Sequence, residues 1–352
     1  MAGPVIVDIE GFELNDRERV RLQHPLVGGM ILFSRNYKNP GQLQKLTAQI
    51  REARAAAKDP KVSRSKILIT VDHEGGRVQR FKTEGFTYIP AMASLGCIYD
   101  QDPLRAIRIA TETAYVMAIE LLSCGVDFSY TPVLDLNYGV SSVIGDRSFH
   151  RDPKIVSILS RAFVQGLAKA GMSCCGKHFP GHGFVEADSH IAIPEDNRTL
   201  DEILGEDVKP YEWLGDLVLP SVMLAHVIYK KVDKHNACFS KVWIQDILRS
   251  KLGYDGLIFS DDLTMEGASY IGDITARGQA ALDAGCDMVM ICNKPDLADE
   301  LLANLRYNPN QNPHLERRLE ELYPKYKVCS WENLGQNVAY KNARSATDKV
   351  FS

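Results

Sequence analysis

Eight short apolar runs, with helical stretches between most of them, constrain this sequence more than any other feature. They are "PVIVDI" (4–9), "GGMILFS" (28–34), "KILITVD" (66–72), "VDFSYTPVLD" (126–135), "SCCGKHF" (173–179), "SVMLAHV" (221–227), "GLIFSDD" (256–262) and "DMVMICN" (287–293). They do not alternate apolar with polar residues. Each is therefore expected to be a strand buried on both faces, as in a parallel sheet. Between them, "GQLQKLTAQIREARAAA", "PLRAIRIATETAYVMAIELLSC" and "DPKIVSILSRAFVQGLAKA" return apolar residues at three- and four-residue intervals, the helical period. Gly125, Gly171, Gly253 and Gly285 stand where a helix gives way to a strand, and glycine accepts the left-handed conformation that closes a last turn. "TLDE", Thr199 to Glu202, fits a capping box that opens a helix.

Strands in regular alternation with helices predict a parallel α/β architecture. The count of eight predicts a closed (β/α)8 barrel of the TIM type, for which the length is ample. One catalytic domain over 1–352 is expected, because no low-complexity linker divides the chain. Its barrel core covers about 4–305, and helices over 306–352 pack on it. A doubly wound open sheet is the alternative. The absence of a Gly-rich dinucleotide fingerprint after the first run weakens it, and no cofactor is expected.

Composition excludes some functions. At 45% hydrophobic and 24% charged residues, with a formal net charge of −4, the chain reads as an ordinary soluble protein. Nothing in the charge pattern points to nucleic acid or an anionic membrane as partner. No run approaches the ~20 apolar residues of a membrane span. The N-terminal "MAGPVIVDIEGFELND" is too acidic for a secretory signal. The eight cysteines lack paired metal spacing and read as reduced thiols, most of them small buried hydrophobes. A cytoplasmic protein, monomeric and acting on a small molecule, is the expectation.

In barrels of this kind the reactive groups lie at the carboxyl ends of the strands. Polar residues fall there repeatedly: Asp8, then Asp72, His73, Glu74 and Arg80, then Asp146 and Arg147, Lys177 and His178, His226, Asp261 and Asp262, and Asn293. A charge inside an apolar run must be paired or hydrogen-bonded. Recurrence at seven strand ends points to a functional cleft rather than to solubility.

The stretch "KHFPGHGFVEADSHIAIP" (177–194) admits two chemistries. His178 and His182 have the spacing of helix-borne metal ligands. Pro180, Gly181 and Gly183 break any such helix, and Lys177 opposes a divalent ion, so no metal is expected. Asp188 and His190 are separated by one residue. In an extended segment they point the same way, and the aspartate can hold the imidazole's tautomer and stabilise its protonated form. Histidine titrates near neutral pH and can both give and take a proton. At "FSDD", one aspartate suits a helix N-cap, Asp262, which leaves Asp261 as the candidate nucleophilic carboxylate.

Taken together, "VDHEGGRVQR", "GDRSF", "KHFPGHG", "ADSH" and "FSDDLTMEGA" resemble glycoside hydrolase family 3, over residues 4–295 and in the family's order. The likeness is greatest to the bacterial single-domain β-N-acetylglucosaminidases of cell-wall recycling. It implies a TIM-type barrel and a retaining double displacement. Carried over motif by motif, it makes Asp261 the nucleophile, His190 the general acid–base and Asp188 its partner. Asp72, Arg80, Arg147, Lys177 and His178 become sugar-binding residues. His73 departs from the family, where many relatives have glutamine. The implied substrate is a GlcNAc–1,6-anhydro-MurNAc fragment of peptidoglycan, with or without its peptide. A phosphorylase is the alternative within the family, because a neutral acid–base repels phosphate less than a carboxylate would.

Overall fold

The computed structural model describes residues 3–186 and 193–351. All eight apolar runs form strands of one parallel sheet: β1 (Val5–Asp8), β2 (Val27–Leu32), β3 (Leu68–Val71), β4 (Phe128–Ser129), β5 (Cys175–Phe179), β6 (Ser221–Leu224), β7 (Leu257–Asp262) and β8 (Met288–Met290). Their order around the sheet is β4-β3-β2-β1-β8-β7-β6-β5. The ring closes between β4 and β5 through the segment after β4. Cys175 and Lys177 donate their N–H groups to Thr131 and Pro132 carbonyls, and Leu134 donates to Lys177. β4 is much shorter than its apolar run, whose continuation contains Pro132, a residue with no N–H for a ladder. The Thr131–Pro132, Lys177–His178 and Phe179–Pro180 peptide bonds are cis.

The helices begin where the local chemistry asks them to. Asn39, Asp102 and Asp152 each cap a helix with their side chain, and each is followed by proline at the first helical position. Such a cap satisfies an orphan N–H, and proline there loses nothing. Thr199 and Glu202 form the expected capping box. The four glycines at helix ends all adopt positive φ.

Strand alternation divides the core in two. Ile6, Ile31, Leu68, Phe128, Cys175, Met223, Leu257, Phe259 and Met288 fill the barrel, whereas Val5, Val7, Met30, Leu32 and Ile69 face the surrounding helices. Tyr130 meets Phe128 and Phe259 edge to face, each with ring centroids 5.3 Å apart. Six of the eight cysteines are buried and none is in a disulfide; Cys97 is exposed and Cys329 partly so.

The C-terminal region forms helices in two different places. Val338–Phe351 packs outside, where Tyr340 donates its hydroxyl to the buried Glu120 at 2.6 Å. The helix Leu315–Glu320 and the turn after it instead seal the barrel from below, inserting Leu315, Leu319, Leu322 and Tyr323 among the interior residues. Asp287, just before β8, ties this seal to the sheet. It accepts from Arg249 (2.9 Å), Arg318 (2.8 Å), Asn312 (2.8 Å) and the Ile258 N–H (2.8 Å). Removing one partner of a buried pair strands the others. Asp287→Ala is therefore expected to lose about 3 kcal/mol of stability, measured by urea denaturation; an unchanged midpoint would show that the seal does not depend on this residue.

Candidate active site

At the carboxyl end of the barrel a cavity of about 180 Å³ is walled by Asp72, Glu74, Arg80, Arg147, Lys177, His178, His182, Asp261, Asp262 and Asn293 together with apolar side chains. Six residues singled out from sequence therefore meet in one place: Asp72, Arg80, Arg147, Lys177, His178 and Asp261. A larger cavity, of about 730 Å³, lies at the opposite end of the barrel, and none of these residues reaches it.

Glu74 organises one wall. It is buried on the short His73–Gly75 strand that follows β3. Arg147 grips it with two donors, Nε and Nη2, both at 2.8 Å, and Lys177 Nζ adds a third at 2.6 Å. Burial opposes ionisation of Glu74, yet the Arg147 and Lys177 charges outweigh it and hold its carboxyl below the usual range. The same pairing keeps Lys177 charged. Burial alone would lower its pKa, but Asp72 and Glu74 raise it. Lys177 also donates to Asp72 at 2.7 Å, while Arg80 stands 3.7 Å from the other oxygen of Asp72. The Arg80 guanidinium lies over the Phe33 ring, 5.7 Å from its centroid, and Arg35 lies over the same ring at 4.5 Å.

A second carboxylate, Asp135, sets the histidines. It accepts from the ring Nδ1 of His178 at 2.7 Å and from the backbone N–H of His182 at 2.6 Å. Burial raises its pKa, but His178 and the hydrogen bonds bring it below the usual range. An ionised acceptor requires the proton on Nδ1 of His178, which leaves Nε2 as the ring nitrogen not engaged by Asp135. Burial, then the neighbouring His178, push His182 down to about 4.

Both strands that deliver the most polar groups are irregular. β5 shifts register between Lys177 and Phe179, and β7 between Phe259 and Asp262. Successive strand residues normally face opposite sides. Here Lys177 and His178 both line the cavity, as do Asp261 and Asp262. Asp262 corrects the reading as a helix N-cap. Its carboxylate does accept from the Thr264 N–H at 2.9 Å, but a turn follows rather than an α-helix, and it also accepts from the Cys292 N–H. Desolvation pushes this carboxyl up to about 7 against those hydrogen bonds, and Asp261 adds to the rise.

Other expected strand-end groups lie behind the cavity or outside it. Asp8 is buried beneath the rim, accepting from Arg35 and from the Asn293 N–H. His73 packs among Phe81 and Phe86, and burial lowers its pKa to about 3. Asp146 faces Arg77 near the surface. His226 sits behind Asp262, its Nε2 3.1 Å from that residue's carbonyl oxygen. Asp188 and His190 lie outside the described residues. Sequence reading passed over Asp135, although a lone carboxylate in the apolar "TPVLDLN" was a signal of the same kind as Asp72.

Known proteins agree with this architecture. The glycosyl hydrolase family 3 N-terminal domain matches residues 5–322. A β-hexosaminidase of Bordetella avium is 57% identical over 350 residues, covering 99% of this chain and 96% of the relative. The structure of NagZ from Neisseria gonorrhoeae in complex with N-trifluoroacetyl-D-glucosamine superposes with a TM-score of 0.90 at 44% identity, covering 100% of this chain and 98% of the other. A family 3 β-N-acetylglucosaminidase from Paenibacillus gives a TM-score of 0.82 at 28% identity, over 97% of this chain and 61% of its own. With a family match over most of its length, the chain belongs to glycosyl hydrolase family 3.

Proposed function

We propose that this protein is a retaining exo-β-N-acetylglucosaminidase, a β-N-acetylhexosaminidase. The observation that carries the reading is the convergence of Asp72, Arg80, Arg147, Lys177, His178 and Asp261 on one small cavity. Drug-sized ligands occupy pockets of roughly 300 Å³ or more, so a cavity of about 180 Å³ suits a single terminal sugar. The cations donate to sugar hydroxyls and to the acetamido carbonyl, and Asp72 accepts from hydroxyls. The Neisseria structure holds an N-acylated glucosamine, which favours the same class of ligand here.

In the first step Asp261 attacks the anomeric carbon as the glycosidic bond breaks. His190, oriented by Asp188, gives its proton to the departing oxygen. In the second step neutral His190 takes a proton from water, whose oxygen attacks the same carbon and releases Asp261. Two inversions retain the β configuration. The substrate we assign is GlcNAc–1,6-anhydro-MurNAc, with or without its peptide, cleaved by a cytoplasmic monomer during peptidoglycan recycling.

Asp261→Asn is expected to lose nearly all turnover of 4-nitrophenyl β-GlcNAc, and full activity in that variant would overturn the nucleophile assignment. His190→Ala should lose much less on this good leaving group than on a disaccharide, because little protonation is needed. Equal losses on both would remove His190 as the acid. Mass spectrometry of muropeptide digests, with and without phosphate, should give free GlcNAc in both. GlcNAc-1-phosphate as the main product would identify a phosphorylase instead.

A further inference from the structure

The register shift in β7 has a specific construction. β8 gives alternate N–H groups to its two neighbours. Val289 and Ile291 donate to the Pro4 and Ile6 carbonyls on the β1 side, at 2.8 and 3.0 Å. Met290 and Cys292 therefore present their N–H groups to β7, where a regular parallel ladder would offer backbone carbonyls. Neither finds one. Met290 donates to the side-chain Oγ of Ser260 at 3.0 Å, and Cys292 donates to the carboxylate Oδ1 of Asp262 at 3.1 Å. Leu263, just beyond, donates its N–H to the Met290 carbonyl at 2.9 Å.

Asp261 sits between these two substitutions. Three steps on β7, Phe259 to Asp262, span what two steps cover on β8, Met288 to Met290. An extra residue in one strand bends it and re-aims a side chain. From this arrangement we infer that Ser260 and Asp262 are positioning residues: their side chains bind the β8 backbone on either side of Asp261 and so aim its carboxylate into the cavity. Ser260 is fully buried and reaches nothing in the cavity, so its hydroxyl acts through the strand alone. Asp262 is braced in turn. Thr264 donates to it from N–H (2.9 Å) and hydroxyl (2.8 Å), and His226 Nε2 approaches its carbonyl oxygen. Its own N–H donates to Asp261 Oδ1 at 2.8 Å, which carries the constraint directly to the reacting carboxylate.

The inference rests on the reading of Asp261 as nucleophile, and two pairs of variants test it. Ser260→Ala and Asp262→Ala each remove an acceptor. With a misplacement on the order of 1 Å, kcat on 4-nitrophenyl β-GlcNAc should fall about 100-fold while KM stays within about threefold. Ser260→Thr and Asp262→Asn keep an oxygen where the acceptor was. The asparagine amide can donate to the Thr264 hydroxyl, which has the Cys292 carbonyl 3.2 Å away as its own acceptor. Both variants should recover kcat to within about tenfold of the parent, a difference of about 1.4 kcal/mol in barrier. Thermal unfolding followed in parallel should not separate the members of the Asp262 pair as kcat does.

Wild-type kcat in both alanine variants would overturn the inference. So would an Asp262→Asn loss equal to that of Asp262→Ala, since the carboxylate would then act by its charge. Asp261→Asn measured alongside keeps the two readings apart. If it remains active, the nucleophile assignment fails. If it is inactive while the alanine variants are not, only the positioning inference fails.

Discussion

The site depends first on the buried carboxylate of Glu74. Left alone at the mouth of the barrel, it would be too costly to ionise there. With Arg147 on two of its lone-pair directions and Lys177 on a third, it becomes the fixed point for both cations. The two cations would otherwise repel each other. Their separation and direction are set by a carboxylate they share, not by the sugar they are proposed to bind. Donors held in place before a ligand arrives need no reorganisation when it does, which is the physical basis of electrostatic preorganisation.

The same logic repeats around the cavity. Asp135 does for His178 what Glu74 does for Arg147, accepting from the ring Nδ1–H and setting the tautomer. Asp262 does it for backbone rather than for a side chain. At the other end of the barrel Asp287 joins β7, β8 and the sealing helix through Arg249 and Arg318. In each case one buried carboxylate satisfies several donors from elements far apart in sequence. The barrel interior between the two ends is largely apolar, its side chains packed by shape. The candidate site and the seal thus lie at opposite ends, as the fold allows, with different polar pairs at each end.

Most of the fold was legible because it is written in local periodicity. All eight apolar runs became strands, and Gly125, Gly171, Gly253 and Gly285 turn as expected. The proline-capped starts at Asn39, Asp102 and Asp152 are equally local. The placement of Asp72, Arg80, Arg147, Lys177, His178 and Asp261 around one cavity followed from their common position after strands. What was not legible arises from contacts between distant segments. Nothing local in Leu315 and Leu319 distinguishes a helix that plugs a barrel from one that lies on its surface. Asp135 hides in an apolar run, and its partners lie more than forty residues away. His73 shows the opposite error: a polar residue at a strand end that turned inward among aromatic rings.

The register shifts in β5 and β7 explain a further difficulty. A period of two would have placed Lys177 and His178 on opposite faces, and Asp261 and Asp262 likewise. A cavity in the mouth of a barrel needs more polar groups than regular alternation can supply from strands this short. Interrupting the ladder supplies them, but leaves the Cys292 N–H of the neighbouring segment to a side chain rather than a carbonyl. In β7 the hydroxyl of Ser260 and the carboxylate of Asp262 accept from the Met290 and Cys292 N–H groups. The irregularity that brings Asp261 to the cavity therefore requires polar residues on both sides of it. This is a physical reason for the composition of "FSDD" that neither a strand pattern nor a list of reacting groups contains.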